Sequence, residues 1–158
     1  MMLDQLTRPL RDLRISVIDR CNLRCTYCMP GEVYHRNYPF LPRKALLTYE
    51  EILRIARTFV EMGVQKIRLT GGEPLMRKNI AALVSMLRSL NPELDLAMTT
   101  NGILLPKYAH ELRDAGLNRL TISLDSLYDQ RIQRISGRPI QVSDVLSGIA
   151  AAEQAGFE

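Results

Sequence analysis

Lys66-Ile67-Arg68-Leu69-Thr70-Gly71-Gly72-Glu73-Pro74 runs from an alternating apolar segment into a double-glycine turn. Ile67 and Leu69 fall on one side and Arg68 and Thr70 on the other, the period of two that marks a β-strand. Adjacent glycines at a strand's end let backbone approach a ligand closely, because only Gly tolerates the dihedrals such an approach requires. Beyond the turn, Ile80, Leu83, Val84 and Leu87 recur at helical spacing. Strand, turn and helix in that order form a βα unit.

The unit repeats on both sides. Upstream, Leu13 to Ile18 reads as a strand, and a long loop rich in Pro, Gly and Tyr separates it from a helix. Thr48 and Glu51 have capping-box spacing for that helix, whose apolar positions are Ile52, Ile55, Ala56 and Phe59 before Gly63. Downstream, Leu94 to Thr99 and Arg119 to Leu124 read as strands three and four. A helix between them opens with Pro106 at its first position, carries Ala109 and Leu112, and stops at Gly116. Tyr128 to Ile135 reads as a partial helical turn, and Ser143 caps a last helix carrying Val145, Leu146 and Ile149 up to Gly156. Alternation at roughly 25 to 30 residues per unit points to parallel strands with right-handed crossovers. The expected fold class is α/β, a partial TIM-like (βα) barrel with helices on the outer face, truncated after about four βα units. A fifth strand would begin where the chain stops at Phe157-Glu158.

Strand parity locates the interior. Leu13, Ile15 and Val17 oppose Arg14 and Ser16; Leu94, Leu96 and Met98 oppose Asp95 and Thr99; Leu120, Ile122 and Leu124 oppose Arg119, Thr121 and Ser123. Amphipathic helices must cover the apolar side, so the polar side lines an interior. Sites in such barrels gather at the C-terminal strand ends. The loops there are the one after Leu13 to Ile18, Gly71-Gly72-Glu73-Pro74, Thr99-Thr100-Asn101-Gly102 and Ser123-Leu124-Asp125-Ser126.

Composition sets outer bounds. With 158 residues, 46% apolar and 24% charged, the chain suits one domain with a real core. No segment has the uncharged apolar length of a membrane span, and Met1-Met2-Leu3-Asp4-Gln5 lacks the layout of a secretory signal, so a cytoplasmic protein without membrane partners is expected. A net charge of +4 and 6% aromatics do not make a nucleic-acid surface.

All three cysteines, Cys21, Cys25 and Cys28, lie in the first of these loops, with three and then two residues between them. Such a set in a reducing compartment holds a soft metal centre rather than a disulfide framework. Three thiolates fill three corners of an iron-sulfur cubane and leave one iron open; the rival is a structural zinc site closed by His35. Glu73 beside exposed carbonyls suits an ammonium-bearing ligand, although a tight βα turn also explains Gly71-Gly72. Arg14 and Arg68 on the polar face must hold an anion or pair with Asp95 or Asp125, because an uncompensated buried charge is costly. Thr99 and Ser123 are ordinary strand hydroxyls on their own terms. His110 sits on a helix flank, no nucleophile-base pattern involves either histidine, and no P-loop or dinucleotide fingerprint is present.

The cysteine spacing with Tyr27 before Cys28, joined to Gly71-Gly72-Glu73-Pro74, resembles the radical S-adenosylmethionine (SAM) superfamily. Leu13-Arg14-Ile15-Ser16, Cys28-Met29-Pro30, Phe40-Leu41-Pro42-Arg43, Ile67-Arg68-Leu69-Thr70 and Thr99-Thr100-Asn101-Gly102 are similar to the GTP 3',8-cyclases that begin molybdenum cofactor biosynthesis. That resemblance implies a 4Fe-4S cluster on Cys21, Cys25 and Cys28, with SAM on its open iron. It implies SAM contacts from Tyr27, Gly72 and Ser123, more weakly from Gly71 and Glu73, and GTP contacts from Arg14, Arg68 and Thr99. The activity implied is that of a radical SAM lyase: reductive SAM cleavage to a 5'-deoxyadenosyl radical, abstraction of the ribose 3' hydrogen of GTP, and closure onto guanine C8. The partners implied are GTP, an electron donor protein, a homodimer mate and the next enzyme of the pathway. Relatives carry a second 4Fe-4S cluster on three later cysteines, whereas this sequence has no cysteine after Cys28. Residues 1–158 are therefore expected to be the N-terminal part of a radical SAM core domain, without the C-terminal cluster domain. A peptide-modifying radical SAM enzyme and a zinc-binding module without catalysis are the alternatives.

Overall fold

The computed structural model describes residues 3–157. The readings that fall on Met1 and Met2, and on Glu158 as the chain's last residue, lie outside the described residues. Four strands and five α-helices follow in the order β1 (Asp12–Ser16), α1 (Tyr49–Glu61), β2 (Lys66–Thr70), α2 (Ile80–Arg88), β3 (Asp95–Thr100), α3 (Leu105–Asp114), β4 (Arg119–Ile122), α4 (Asp129–Ser136) and α5 (Val142–Gln154). The strands form one parallel sheet in sequence order, and among the described residues it does not close into a barrel. Register aligns Arg14 with Arg68, Arg68 with Ala97, and Ala97 with Arg119, so one row of the polar face carries three arginines.

The opposite face is the core. Ile67, Leu69, Leu96 and Met98 are buried there beneath Ile52 and Ala56 of α1, Ile80, Leu83, Val84 and Leu87 of α2, and Leu105 and Leu112 of α3. Local sequence starts these helices at defined points. Thr48 accepts from the Glu51 amide (3.2 Å) while Glu51 accepts from the Thr48 amide (2.7 Å), the reciprocal cap expected for α1. Ile55, expected on the apolar face of α1, is exposed, as are Leu146 and Ile149 of α5. The contact face of α5 is instead Val145, Gly148 and Ala152, packed close against α3 and the loop before it.

Several boundaries differ from the sequence reading for identifiable reasons. The ladder begins at Asp12 and ends at Ser16, so Val17 and Ile18 leave β1, although Val17 still donates to the Thr70 carbonyl (3.0 Å). Leu94 precedes β3, and Ser123 and Leu124 follow β4. Gly71-Gly72-Glu73-Pro74 opens a 3-10 turn at Pro74–Met76 rather than a helix; α2 starts at Ile80 after Asn79 takes a left-handed conformation. Pro106 is the second residue of α3, not the first. Residues read as a partial turn form α4, a complete helix. Gln141, not Ser143, caps α5, because Asp144 reaches back to the Gln141 amide (2.8 Å).

Candidate metal and substrate site

The long loop between β1 and α1 carries the three thiols, and its conformation is fixed from two sides. On one side Gly72 donates to the Ile18 carbonyl (2.7 Å) and Glu73 to the Arg20 carbonyl (2.8 Å). A Cβ at Gly72 would lie 2.1 Å from the Arg20 oxygen, so the two backbones meet only because residue 72 has no side chain. On the other side Arg24 and Thr26 donate to the Ser136 and Ile135 carbonyls (2.7 and 2.9 Å) at the end of α4. Within the loop, Cys28 and Met29 both donate to the Cys25 carbonyl, and the Arg24 guanidinium donates to the carbonyls of Cys21, Leu23 and Tyr34. Leu23 and Met29 are buried beneath it. The thiol-bearing backbone of this loop, outside any strand or α-helix, is thus held by hydrogen bonds to two neighbouring units.

Cys21, Cys25 and Cys28 line one cavity of about 390 Å³ and form no disulfide. That volume lies in the range of small-molecule sites. Cys21 and Cys25 are half-buried and Cys28 is exposed. Burial pushes the Cys21 and Cys25 thiols up first, and the neighbouring cysteines push in the same direction. Three thiolates in one cavity repel one another, and a cationic metal centre reverses that balance by deprotonating the thiols that bind it. The donor set therefore fits a thiolate-held cluster. A zinc tetrahedron fits less well: among the described residues no three His, Cys, Asp or Glu groups meet at the spacing of a single-ion site. His35 is exposed, and its Nδ1 accepts from the Asn37 amide (3.2 Å).

Arg14, Tyr27, Gly72, Glu73, Thr99 and Ser123 line the same cavity, bringing together residues from all four βα units. Gly71 stands beside it in the turn. The Arg68 guanidinium reaches it through Thr99, donating to the hydroxyls of Thr99 (3.0 Å) and Thr121 (2.8 Å). The expected ion pairs of Arg14 and Arg68 with Asp95 or Asp125 are not formed. Asp95 pairs with Arg119, and Asp125 accepts from the Tyr27 hydroxyl (3.1 Å). Tyr27 is pushed up to about 12, by partial burial first and then by that carboxylate. Arg14 and Arg68 thus face one another in register with no carboxylate partner among the described residues.

Glu73 is anchored by its neighbours at the edge of the cavity. Its carboxylate is 1% exposed and accepts from the Leu75 amide (3.1 Å), the Thr100 hydroxyl (2.7 Å) and the Asn101 amide (2.9 Å). Burial raises its pKa, and those donors oppose the rise. It ties the turn after β2 to the turn after β3. Sequence reasoning gave no role to Thr100, Asn101, Ile132 or Ser136, which also line the cavity. Their place in the turn at the C-terminal end of β3 signalled the first two, although parity alone puts Thr100 on the face of Leu96 and Met98. The α4 residues had no local signal.

The sequence profile of the radical SAM superfamily matches residues 15–158. A GTP 3',8-cyclase of Acidothermus cellulolyticus is 58% identical over 154 residues, covering 98% of this chain and 42% of that protein. One from Staphylococcus haemolyticus is 49% identical over 154 residues, covering 98% of this chain and 45% of that protein. The chain thus spans less than half the length of the curated relatives it matches. Among solved structures, methylornithine synthase (PylB) superposes with a TM-score of 0.71 at 21% identity, over 95% of this chain and 43% of that one. Streptococcus suis SuiB bound to its precursor peptide SuiA gives 0.75 at 21% identity, over 95% and 31%. These structures share its fold. With its fold, its thiol-bearing loop and nearly its whole length matched, the chain belongs to the radical SAM superfamily.

Proposed function

We propose that this chain is the N-terminal part of the radical SAM core domain of a GTP 3',8-cyclase, in which Cys21, Cys25 and Cys28 hold a 4Fe-4S cluster. When bound, the cluster supplies the electron that cleaves SAM and so starts the radical cyclisation of GTP to 3',8-cyclo-7,8-dihydro-GTP. Gly72 lines the cavity beside the thiols, and Tyr27 and Ser123 border the same space, the surroundings expected for SAM. Gly71 and Glu73 shape that turn. The partners of this reading are GTP, an electron donor protein, a homodimer mate and the next enzyme of molybdenum cofactor biosynthesis, in the cytoplasm. No helix of the described residues is long and apolar enough to cross a membrane.

The observation that carries the substrate assignment is the pairing of Arg14 with Arg68 across β1 and β2 without a carboxylate. Two arginines in register on one polar face suit an anion that takes donors from both, and Arg68 is aimed by two neutral hydroxyls that leave its charge unspent. A triphosphate meets that requirement; an unmodified peptide backbone does not.

The test is nucleotide binding to the anaerobically reconstituted chain. GTP should bind more tightly than guanosine, and Arg14→Ala and Arg68→Ala should each weaken GTP about tenfold, ~1.4 kcal/mol. The change in the cluster spectrum on adding SAM should persist in both variants. Equal affinity for GTP and guanosine, or variants that bind GTP as the parent does, would contradict the assignment.

A further inference from the structure

We propose that Asn101 is a positioning residue for the cluster: its side-chain amide donates to the Cys21 sulfur and, held there by buried Glu73, raises the reduction potential. The inference rests on the reading above that Cys21 is a cluster ligand. It starts from an orientation that the structure leaves no freedom to reverse. Asn101 Oδ1 accepts from the Ile103 amide (3.2 Å), so Nδ2 must face the other way. There it lies 2.8 Å from Asn22 Oδ1 and 3.9 Å from Cys21 Sγ. The Leu23 amide donates to the same sulfur at 3.4 Å.

Its backbone is held just as firmly. Asn101 N–H ends on Glu73 Oε2, while Thr100 Oγ1 donates to Glu73 Oε1 and itself accepts from the Gly102 amide (3.1 Å). A carboxylate buried this deeply is expensive, and three donors offset that cost only while all three stay in place. The Gly-Gly-Glu-Pro turn therefore acts on the metal site through β3: Glu73 sets the height of Asn101, and Asn101 sets the second amide on Cys21. Donors to a ligating sulfur draw electron density from it and favour the more negatively charged, reduced cluster.

The test is an equilibrium redox titration of the reconstituted chain followed by electron paramagnetic resonance. Asn101→Asp keeps the acceptor for Ile103 and the side-chain shape but has no Nδ2 donor; Asn101→Ala removes the donor without adding charge. In both, the reduced-to-oxidised ratio at a fixed applied potential should fall about tenfold, ~59 mV for a one-electron couple. Glu73→Gln should move it in the same direction by less, since one carbonyl oxygen cannot serve donors that now use two. Asn22→Ala, which frees the Asn101 amide from its anchor, decides the matter should either Asn101 variant fail to take up iron. Loaded variants at the parent's potential overturn the proposal, as does a loss of iron content or thermal stability with no movement of potential. A parent chain that binds no cluster overturns the functional reading itself, a failure distinct from unmoved variants of a loaded parent.

Discussion

Gly72 shows how much one absent side chain can carry. The cysteine loop and the turn after β2 share two backbone hydrogen bonds across a gap that a Cβ would fill. Gly72→Ala must push the Arg20 carbonyl away, at a cost of about 2 kcal/mol by the usual scale of overpacking. Lower thermal stability and reduced iron uptake should appear together, measured by melting and by iron analysis. Tyr27 makes a second prediction. Its phenol is raised from 10.0 to about 12, so the folded state keeps this proton longer than the unfolded chain does. Its contribution to stability is therefore flat below pH 10 and falls as pH rises towards 12. A spectrophotometric titration should show a late-ionising class of tyrosine that shrinks in Tyr27→Phe. At this scale the sequence already displayed the thiols, the glycines and the polar parity of Arg14 and Arg68. What it could not display was partner choice. Asp95 and Asp125 were available to both arginines on paper, and only strand register and loop height assign them to Arg119 and Tyr27.

Elements form where local and tertiary signals agree, and α1 and α4 illustrate the two extremes. α1 has a complete capping box and a clear apolar stripe, and was legible in outline from Thr48 to Gly63. Thr48→Ala should cost about 1 kcal/mol, read as a shift in the denaturant midpoint at unchanged slope. α4 has polar or charged residues at Asp129, Gln130, Arg131, Gln133 and Arg134, and too few apolar positions to declare itself. It is helical because Ile132 is buried and its last carbonyls receive the cysteine loop. Its stability depends on that docking, a dependence no local pattern records. In the core, Leu83 is fully buried at the centre of α2, and Leu83→Ala should cost about 3 kcal/mol with no effect on the site's chemistry.

For the molecule as a whole, the parallel sheet and its covering helices leave β1 and β4 as open edges. Leu127, Tyr128, Leu146 and Ile149, in the segments that follow β4, are exposed apolar residues, and unpaired strand edges seek partners. The isolated 158-residue chain should therefore self-associate, and light scattering should report species heavier than one chain at micromolar concentration. A stable, monodisperse monomer would contradict the account of those edges. The order of strands and the face that becomes the interior were legible because alternation and helix spacing are local. The meeting of four separate loops around one cavity follows only from that topology. Whether three thiols hold a cluster with an iron open to SAM is read by electron paramagnetic resonance of the reduced, anaerobically reconstituted chain with and without SAM. A 4Fe-4S signal that changes when SAM is added and disappears in Cys21→Ala is the expected result; no such signal, or one indifferent to SAM, rules such a cluster out.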